Sequence, residues 1–560
     1  MVAATSHGAP LALAGGPPYR PHMSDDTARD VLPAYVRGLL EPTAYPVVPG
    51  EVTLVQTHIS YVFLAGDVVY KTKKPVDFGF IEQLTVERRH AFCDAEVRLN
   101  RRLAPDVYLD VVPVVERADG TFAIDVPQST GEVVEWAVKM RRLPDDATLD
   151  QLLNARREPP DILERLVAKI VPFHEAADVV PNDPEFAGAP AERAWWMREY
   201  SEAEGNIGST WAPEDAAGTK AFVDAMIERE SALFDERLAQ GRIIDGHGDI
   251  HAKHVYVLGT RPEDLVIVDC IEFTEWFQLR YADVNNDIAF LAMDLEARGR
   301  AEMGDEFAGR YLAATADETF GVVHPLHRTF RAFVRGKVES IGAHAMEIPA
   351  DVRAHLADSA AAYFRLAADY RTRCAAPSVI VMCGASGTGK SLIGATLATR
   401  IGAAYLSSDA IRKQLAGIDL HARGEAAFRE GMYSPEMSAR VYEEMGVRAA
   451  QHLALGRPVV LDATHAQAAH RRAALQVART AGVPGLIVEL RLTDDAALAR
   501  IVNRERDPLR TSDATTEVYR QQVESFEPVS ASEGPHLTLD AARSPGSLAV
   551  EIAESLPKRD

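Results

Sequence analysis

The chain has 560 residues, 47% of them apolar and 25% charged. At roughly 150 residues per folding unit it is long enough for three to four units, and the globular balance excludes a disordered, fibrous or collagen-like protein. The formal charge of −22, from 60 basic and 82 acidic residues, repels phosphate backbones as a whole and argues against an extended nucleic-acid partner. The cysteines Cys93, Cys270, Cys374 and Cys383 show no CxxC spacing and read as reduced thiols.

Residues 1–30 lack a basic start and an apolar run, so a disordered tail is expected and a secretory signal is not. No apolar run approaches the roughly eighteen residues of a membrane span, and a cytoplasmic protein is expected. From Glu51 to Arg142 short alternating segments with Gly-Asp and Asp-Gly turns predict an antiparallel sheet. A charged helix interrupts it from Val86 to Leu103, with Phe92, Glu96, Leu99 and Leu103 on one face. In AGDVVYKTKK, Lys71 shares its strand with Val68, Val69 and Tyr70, and a lysine among so much apolar surface needs an anionic partner. Glu96 can be that partner; Glu87 competes from the charged run VERRH. Lys73 points to the same side as Lys71, so either lysine fits a phosphate-binding role. A snorkelling edge lysine beside a surface glutamate is the plain alternative.

From Ala147 to Arg373 helical periodicity dominates, broken by the strand-loop-strand segment RIIDGHGDIHAKHVYVLGTRPEDLVIVDCIEF. Its loop carries Asp249, and the following strand ends at Asp269. Two acids at strand edges about twenty residues apart point to one metal-phosphate site. His247, His251 and His254 also make a zinc-like HxxxHxxH spacing, which the intervening Gly-Asp and flanking strands disfavour as a helical display. A loop without chemistry is the third reading.

At Cys374-Ala375-Ala376-Pro377 the helical stretch gives way to strands alternating with helices, which specify a parallel sheet with crossover helices. The expected division is therefore 31–374, with a sheet lobe over about 45–142 and a helical lobe over 143–374, followed by 375–560. The second part opens with GASGTGKS after an apolar strand and before a helical segment. Gly384, Gly387, Thr388 and Gly389 let backbone N–H groups converge on phosphate oxygens, Lys390 reaches the outer phosphates and Ser391 ligates magnesium. Further on, Asp409 and Arg412 stand at i, i+3 on a starting helix, suited to activating a hydroxyl, or to capping and a surface ion pair. Asp462 ends a buried strand where a carboxylate holds magnesium through water. Arg500, Arg504, Arg506 and Arg510 fit either a mobile lid over a triphosphate or a solvated basic helix.

The series GASGTGKS, SSDAIRK, LDATH and RIVNRERDPLRTSDA resembles the P-loop small-kinase group that includes polynucleotide 5′-hydroxyl, gluconate and chloramphenicol kinases, over about Val379 to Pro528. That resemblance implies hydroxyl phosphorylation with Asp409 and Arg412 as the activating pair. The first part resembles the aminoglycoside phosphotransferase-like branch of the protein-kinase superfamily, over about Thr53 to Asp294. It implies a two-lobed α+β domain in which Lys71 and Glu96 serve the phosphates, Asp249 is the base, Asp269 holds the metal and Asp287 braces the loop. His254 stands where that family places a metal-ligating Asn, which implies manganese as an alternative to magnesium. The loop Thr57-His58-Ile59-Ser60 lacks the family's glycine. The whole layout resembles bacterial two-domain proteins described as bifunctional aminoglycoside phosphotransferase/ATP-binding proteins. The expected function is a two-site phosphotransferase using magnesium and ATP or GTP, with small sugar-like, aminoglycoside-like or 5′-hydroxyl acceptors. The competing expectation is a regulatory nucleotide switch with an inactive kinase-like module.

Overall fold

The structure, a computed structural model, describes residues 32–77, 81–180, 188–273, 280–346, 348–422, 432, 434–504, 507 and 509–559. The expected tail over residues 1–30 lies outside them.

The first lobe is an antiparallel sheet of six strands: β1 Val52–Gln56, β2 Ser60–Ala65, β3 Val68–Lys73, β4 Tyr108–Glu116, β5 Phe122–Ile124 and β6 Glu132–Arg141, in the order β1-β2-β3-β6-β4-β5. The β2–β3 turn uses Gly66 at φ 64°, the left-handed conformation that glycine adopts without strain. Helix α1, Val86–Asn100, begins at Thr85, whose hydroxyl accepts from the Arg88 N–H, and packs Cys93 and Val97 against Tyr108 and Val138. It stops three residues before the expected Leu103. The chain tightens into a turn there, with Leu103 N–H donating to Asn100 O, because Ala104 precedes Pro105 and resists the helical conformation.

The helical lobe carries two short antiparallel strand pairs. β7, Ile243–Asp245, pairs with β10, Tyr281–Asp283, and β8, Val255–Val257, pairs with β9, Leu265–Ile267. Beneath them lie α2 (Val284–Ala297), α3 (Ala301–Thr315) and the long α4 (Phe320–His344). Beyond residue 374 follow β11 Val379–Cys383, β12 Ala404–Ser407, β13 Val459–Asp462, β14 Gly485–Arg491 and β15 His536–Asp540, all parallel in the order β12-β13-β11-β14-β15. The crossover helices include α5 (Lys390–Ile401), α6 (Ser408–Ala416), α7 (Asp494–Arg504) and α8 (Thr516–Glu524).

The helical lobe and the parallel sheet share one core, in which Ile288, Leu312 and Phe320 join Ile393, Leu397 and Leu490. Glycine permits backbone-to-backbone approach: a Cβ on Gly309 of α3 would lie 2.2 Å from Thr396 Oγ1 and 2.6 Å from Thr396 Cα of α5. Buried Asp305 receives Arg328 from α4 and Arg400 from α5, each at 2.5 Å. Gly309→Ala is expected to push α3 and α5 apart and cost about 1–3 kcal/mol, the usual range for overpacking. Both halves should then lose stability together in one denaturation transition; an unchanged midpoint would contradict the shared core.

Candidate active sites

The first constellation is built where the sheet lobe meets the strand-loop-strand segment. Lys71 Nζ on β3 lies 2.8 Å from Glu96 Oε1 on α1 and 3.1 Å from Asp269 Oδ1. Glu96 also receives Lys73 at 2.5 Å through its other oxygen, and Lys73 pairs with Glu272 as well. Lys73 has no exposed side-chain surface, whereas Lys71 is 13% and Asp269 26% exposed, so it is Lys71 that faces the cleft. Burial alone would lower the Lys71 pKa, but Asp269 and Glu96 outweigh it and hold the ammonium charged. Burial pushes Asp269 the other way, and Lys71, by charge and hydrogen bond, keeps its carboxyl well below the usual range. The Thr57–Ser60 loop is closed without glycine: Thr57 Oγ1 accepts from the Ile59 and Ser60 N–H groups.

Asp287, at the start of α2, accepts from the N–H groups of His247 at 2.8 Å and Gly248 at 2.7 Å, which fixes the loop carrying Asp249. Asp249 is buried, its Oδ2 has no hydrogen-bond partner, and burial raises its pKa. His254 stands between the two acids. Its Nδ1 donates to Asp249 O at 3.0 Å, and its Nε2 lies 3.5 Å from Asp269 Oδ2. With the proton on Nδ1, Nε2 offers a lone pair, and a 3.5 Å separation suits two donors each about 2.0–2.2 Å from one first-row metal ion. These residues fit a divalent metal.

The triple-imidazole spacing does not close. The groups that converge among the described residues are Asp249, His251 and His254. His247 Nδ1 accepts from Asp249 N–H, and His251 Nδ1 accepts from Lys253 N–H. In the neutral ring that bond leaves the His251 proton on Nε2, facing Asp249 Oδ2 at 3.9 Å.

The second constellation follows β11. Gly384, Gly387 and Gly389 take φ of 145°, 80° and 92°, and a Cβ on Gly387 would meet Ala497 O of α7 at 2.6 Å. Lys390 at the start of α5 donates to Ala385 O at 2.9 Å. Burial lowers its pKa, partly offset by Asp462 and Asp409. Asp462 accepts from Tyr405 OH at 2.6 Å, and burial raises its pKa against Lys390. Ser391 O also lies 3.3 Å from the same hydroxyl. Thr388 Oγ1 donates to Ala385 O.

Asp409 lies in the first turn of α6, within electrostatic reach of Lys390 and Arg504. Arg412 takes a different direction, donating to Met432 O at 2.9 Å and Ser438 Oγ at 3.4 Å. On α7, Arg500 bonds Thr388 O and Ala541 O, and Arg504 bonds Ala514 O. Arg506 lies outside the described residues. Gln522 of α8, which no sequence motif marks, accepts through Oε1 from the Ser386 N–H of the loop at 2.8 Å. His465, likewise without a sequence signal of its own, adopts φ 41° and donates through Nδ1 to Met382 O at 2.7 Å, at the mouth of β11.

These features define a two-part protein: a two-lobed α+β domain with an antiparallel sheet lobe and a helical lobe, joined to a P-loop domain on a parallel sheet. A family described as AAA domain matches residues 379–529. The chain is 30% identical over 470 residues to the uncharacterized protein Rv2004c of Mycobacterium tuberculosis, covering 83% of this chain and 88% of that protein, and it belongs to the same family. Among solved structures, a choline/ethanolamine kinase family protein from Mesorhizobium loti matches 61% of this chain and 94% of its own, at 14% identity and TM-score 0.36. A gluconokinase from Sinorhizobium meliloti matches 32% of this chain and 95% of its own, at 21% identity and TM-score 0.22.

Burial lowers the His465 pKa to about 4, against an ordinary value of 6.5. The unfolded chain therefore takes up this proton first, and stability present above pH 6.5 is lost as pH falls toward 4. His465→Asn, whose side chain tolerates the left-handed backbone, should flatten the decline by at most about 1.4 kcal/mol per pH unit. Denaturant titrations at pH 7, 6 and 5 test this; identical slopes would contradict it.

Proposed function

We propose that the protein is a cytoplasmic, metal-dependent phosphotransferase with two nucleoside triphosphate sites, each transferring a phosphoryl group to a hydroxyl of a small molecule. The observation that carries the reading is the meeting of Lys71, Glu96 and Asp269 from three separate elements, beside a buried Asp249 whose Oδ2 makes no hydrogen bond and lies 3.4 Å from His254 Nδ1. Lys71 supplies the cation for the phosphates, Asp249 accepts the hydroxyl proton, and Asp269 with His254 would hold the divalent ion that neutralises charge on the transferring group. In the second site the glycines, Thr388, Lys390 and Ser391 cradle the phosphates of ATP or GTP, with Asp462 behind the ion. Asp409 takes the acceptor proton. Arg412, bonded to Met432 O and Ser438, fits acceptor positioning better than a direct partnership with Asp409, and Arg504 and Arg506 fit the outer phosphates. Sugar-like and aminoglycoside-like alcohols and 5′-hydroxyl groups are the acceptor classes.

A second reading, a nucleotide-driven switch with an inactive kinase-like half, draws support from His254, which donates to the carbonyl of Asp249, the residue assigned as base.

A nucleotide-consumption screen over those acceptors, with Asp249→Asn and Asp409→Asn variants, tests the proposal. Each variant should keep nucleotide affinity and lose about two orders of magnitude of transfer from one half, the usual value of a positioned base. Acceptor-independent consumption unaltered by either variant would favour the switch. His254→Asn is expected to move the N-terminal half from manganese toward magnesium, since nitrogen ligands favour first-row ions. An unchanged metal preference would remove His254 from the ligand set.

A further inference from the structure

Asp269 holds φ 64°, a left-handed conformation that is uncommon outside glycine and that persists only where the surroundings impose it. What imposes it comes from the other lobe. The Asp269 N–H donates to Tyr108 OH at 3.1 Å, and the next amide, Cys270 N–H, donates to Asn100 Oδ1 at 2.8 Å. Asn100 is the last residue of α1, and its Nδ2 donates back to Glu96 O at 2.9 Å, so its carbonyl is aimed. Tyr108 opens β4, is 3% exposed, and has its phenol held protonated foremost by burial. Between them Arg102 donates to Asp245 O and Gly246 O, each at 2.7 Å, with its guanidinium 5.0 Å from the ring of Phe173. A single stretch of the sheet lobe, residues 100–108, therefore grips the backbone on both sides of the cleft: the strand end leading to Asp249 and the turn that displays Asp269.

We infer that Asn100 and Tyr108 are positioning residues for the metal site: they hold two successive backbone amides and so set the direction of the Asp269 carboxylate toward His254. The inference rests on the reading of Asp269 as a metal ligand. Partners one bond removed from a ligand orient it, and their loss lowers metal affinity even where the fold survives. Tyr108→Phe removes a single acceptor oxygen and leaves the ring in its packing against Cys93 and Val97.

The test uses the full-length chain carrying Lys390→Ala, so that the P-loop site does not contribute, with Mn²⁺ as the probe in the presence of a non-hydrolysable ATP analogue. Bound Mn²⁺ is read by electron paramagnetic resonance and folding by thermal denaturation. Tyr108→Phe and Asn100→Leu should each weaken Mn²⁺ binding about tenfold or more at temperatures where both remain folded. Asn100→Asp, which keeps the acceptor oxygen, should stay closer to the parent than Asn100→Leu. Mn²⁺ affinity within about twofold of the parent in Tyr108→Phe would overturn the inference, and so would a loss confined to melting temperature. A folded parent that binds no Mn²⁺ would overturn the reading of Asp269, and the inference with it.

Discussion

A carboxylate removed from water must be paired, and Glu96 is the one on which the N-terminal half turns. Both its oxygens are taken by lysines that reach it from β3, and each lysine extends to an acid beyond β9, Lys71 to Asp269 and Lys73 to Glu272. Leaving any one of these charges alone would cost several kcal/mol, so helix, sheet and loop are held in one relative placement. Two cations face three carboxylates, a surplus of negative charge beside the cleft that a divalent ion would neutralise. Lys73 is the enclosed member of the set and Lys71 the one at its edge, which separates a structural cation from one able to meet phosphate.

The P-loop half does not hang from this domain as a separate bead. Its loop helix α5 begins at Lys390 and packs along α3, where Gly309 allows close backbone approach at Thr396 and Asp305 gathers Arg328 and Arg400. The N-terminal half supplies acids along the junction and the P-loop half supplies bases, as Glu230 does for Arg457 and Glu318 for Arg448 and His452. Charge complementarity of this kind fixes register between packed helices while the shared apolar core supplies the driving force.

Much of this was legible in the sequence because its signals are local. The glycine spacing of 384–389, the apolar strand before it and the helix after it lie within about twenty residues, and β11 and α5 form there. Glu96 stood out because it interrupts an apolar stripe, and Asp249 and Asp269 because each follows a strand. The grip of Tyr108 and Asn100 on the Asp269 turn was invisible, since those bonds join residues 161 and 170 positions apart and a tyrosine or asparagine carries no spacing signal. Gln522 on the Ser386 amide, 136 positions away, escaped for the same reason. The zinc-like histidine spacing was already disfavoured by its intervening Gly-Asp, and the backbone does turn at Gly248, with φ 84°, which puts the His247 ring on the amide of Asp249.

The proposed function places two nucleotide sites on one chain. Equilibrium dialysis of the full-length protein against labelled ATP analogue and magnesium or manganese counts them directly. Two nucleotides per chain are expected, falling to one in Lys390→Ala, to one in Lys71→Met and to none when both are changed. A single nucleotide in the unaltered protein, abolished by Lys390→Ala and indifferent to Lys71→Met, would contradict it.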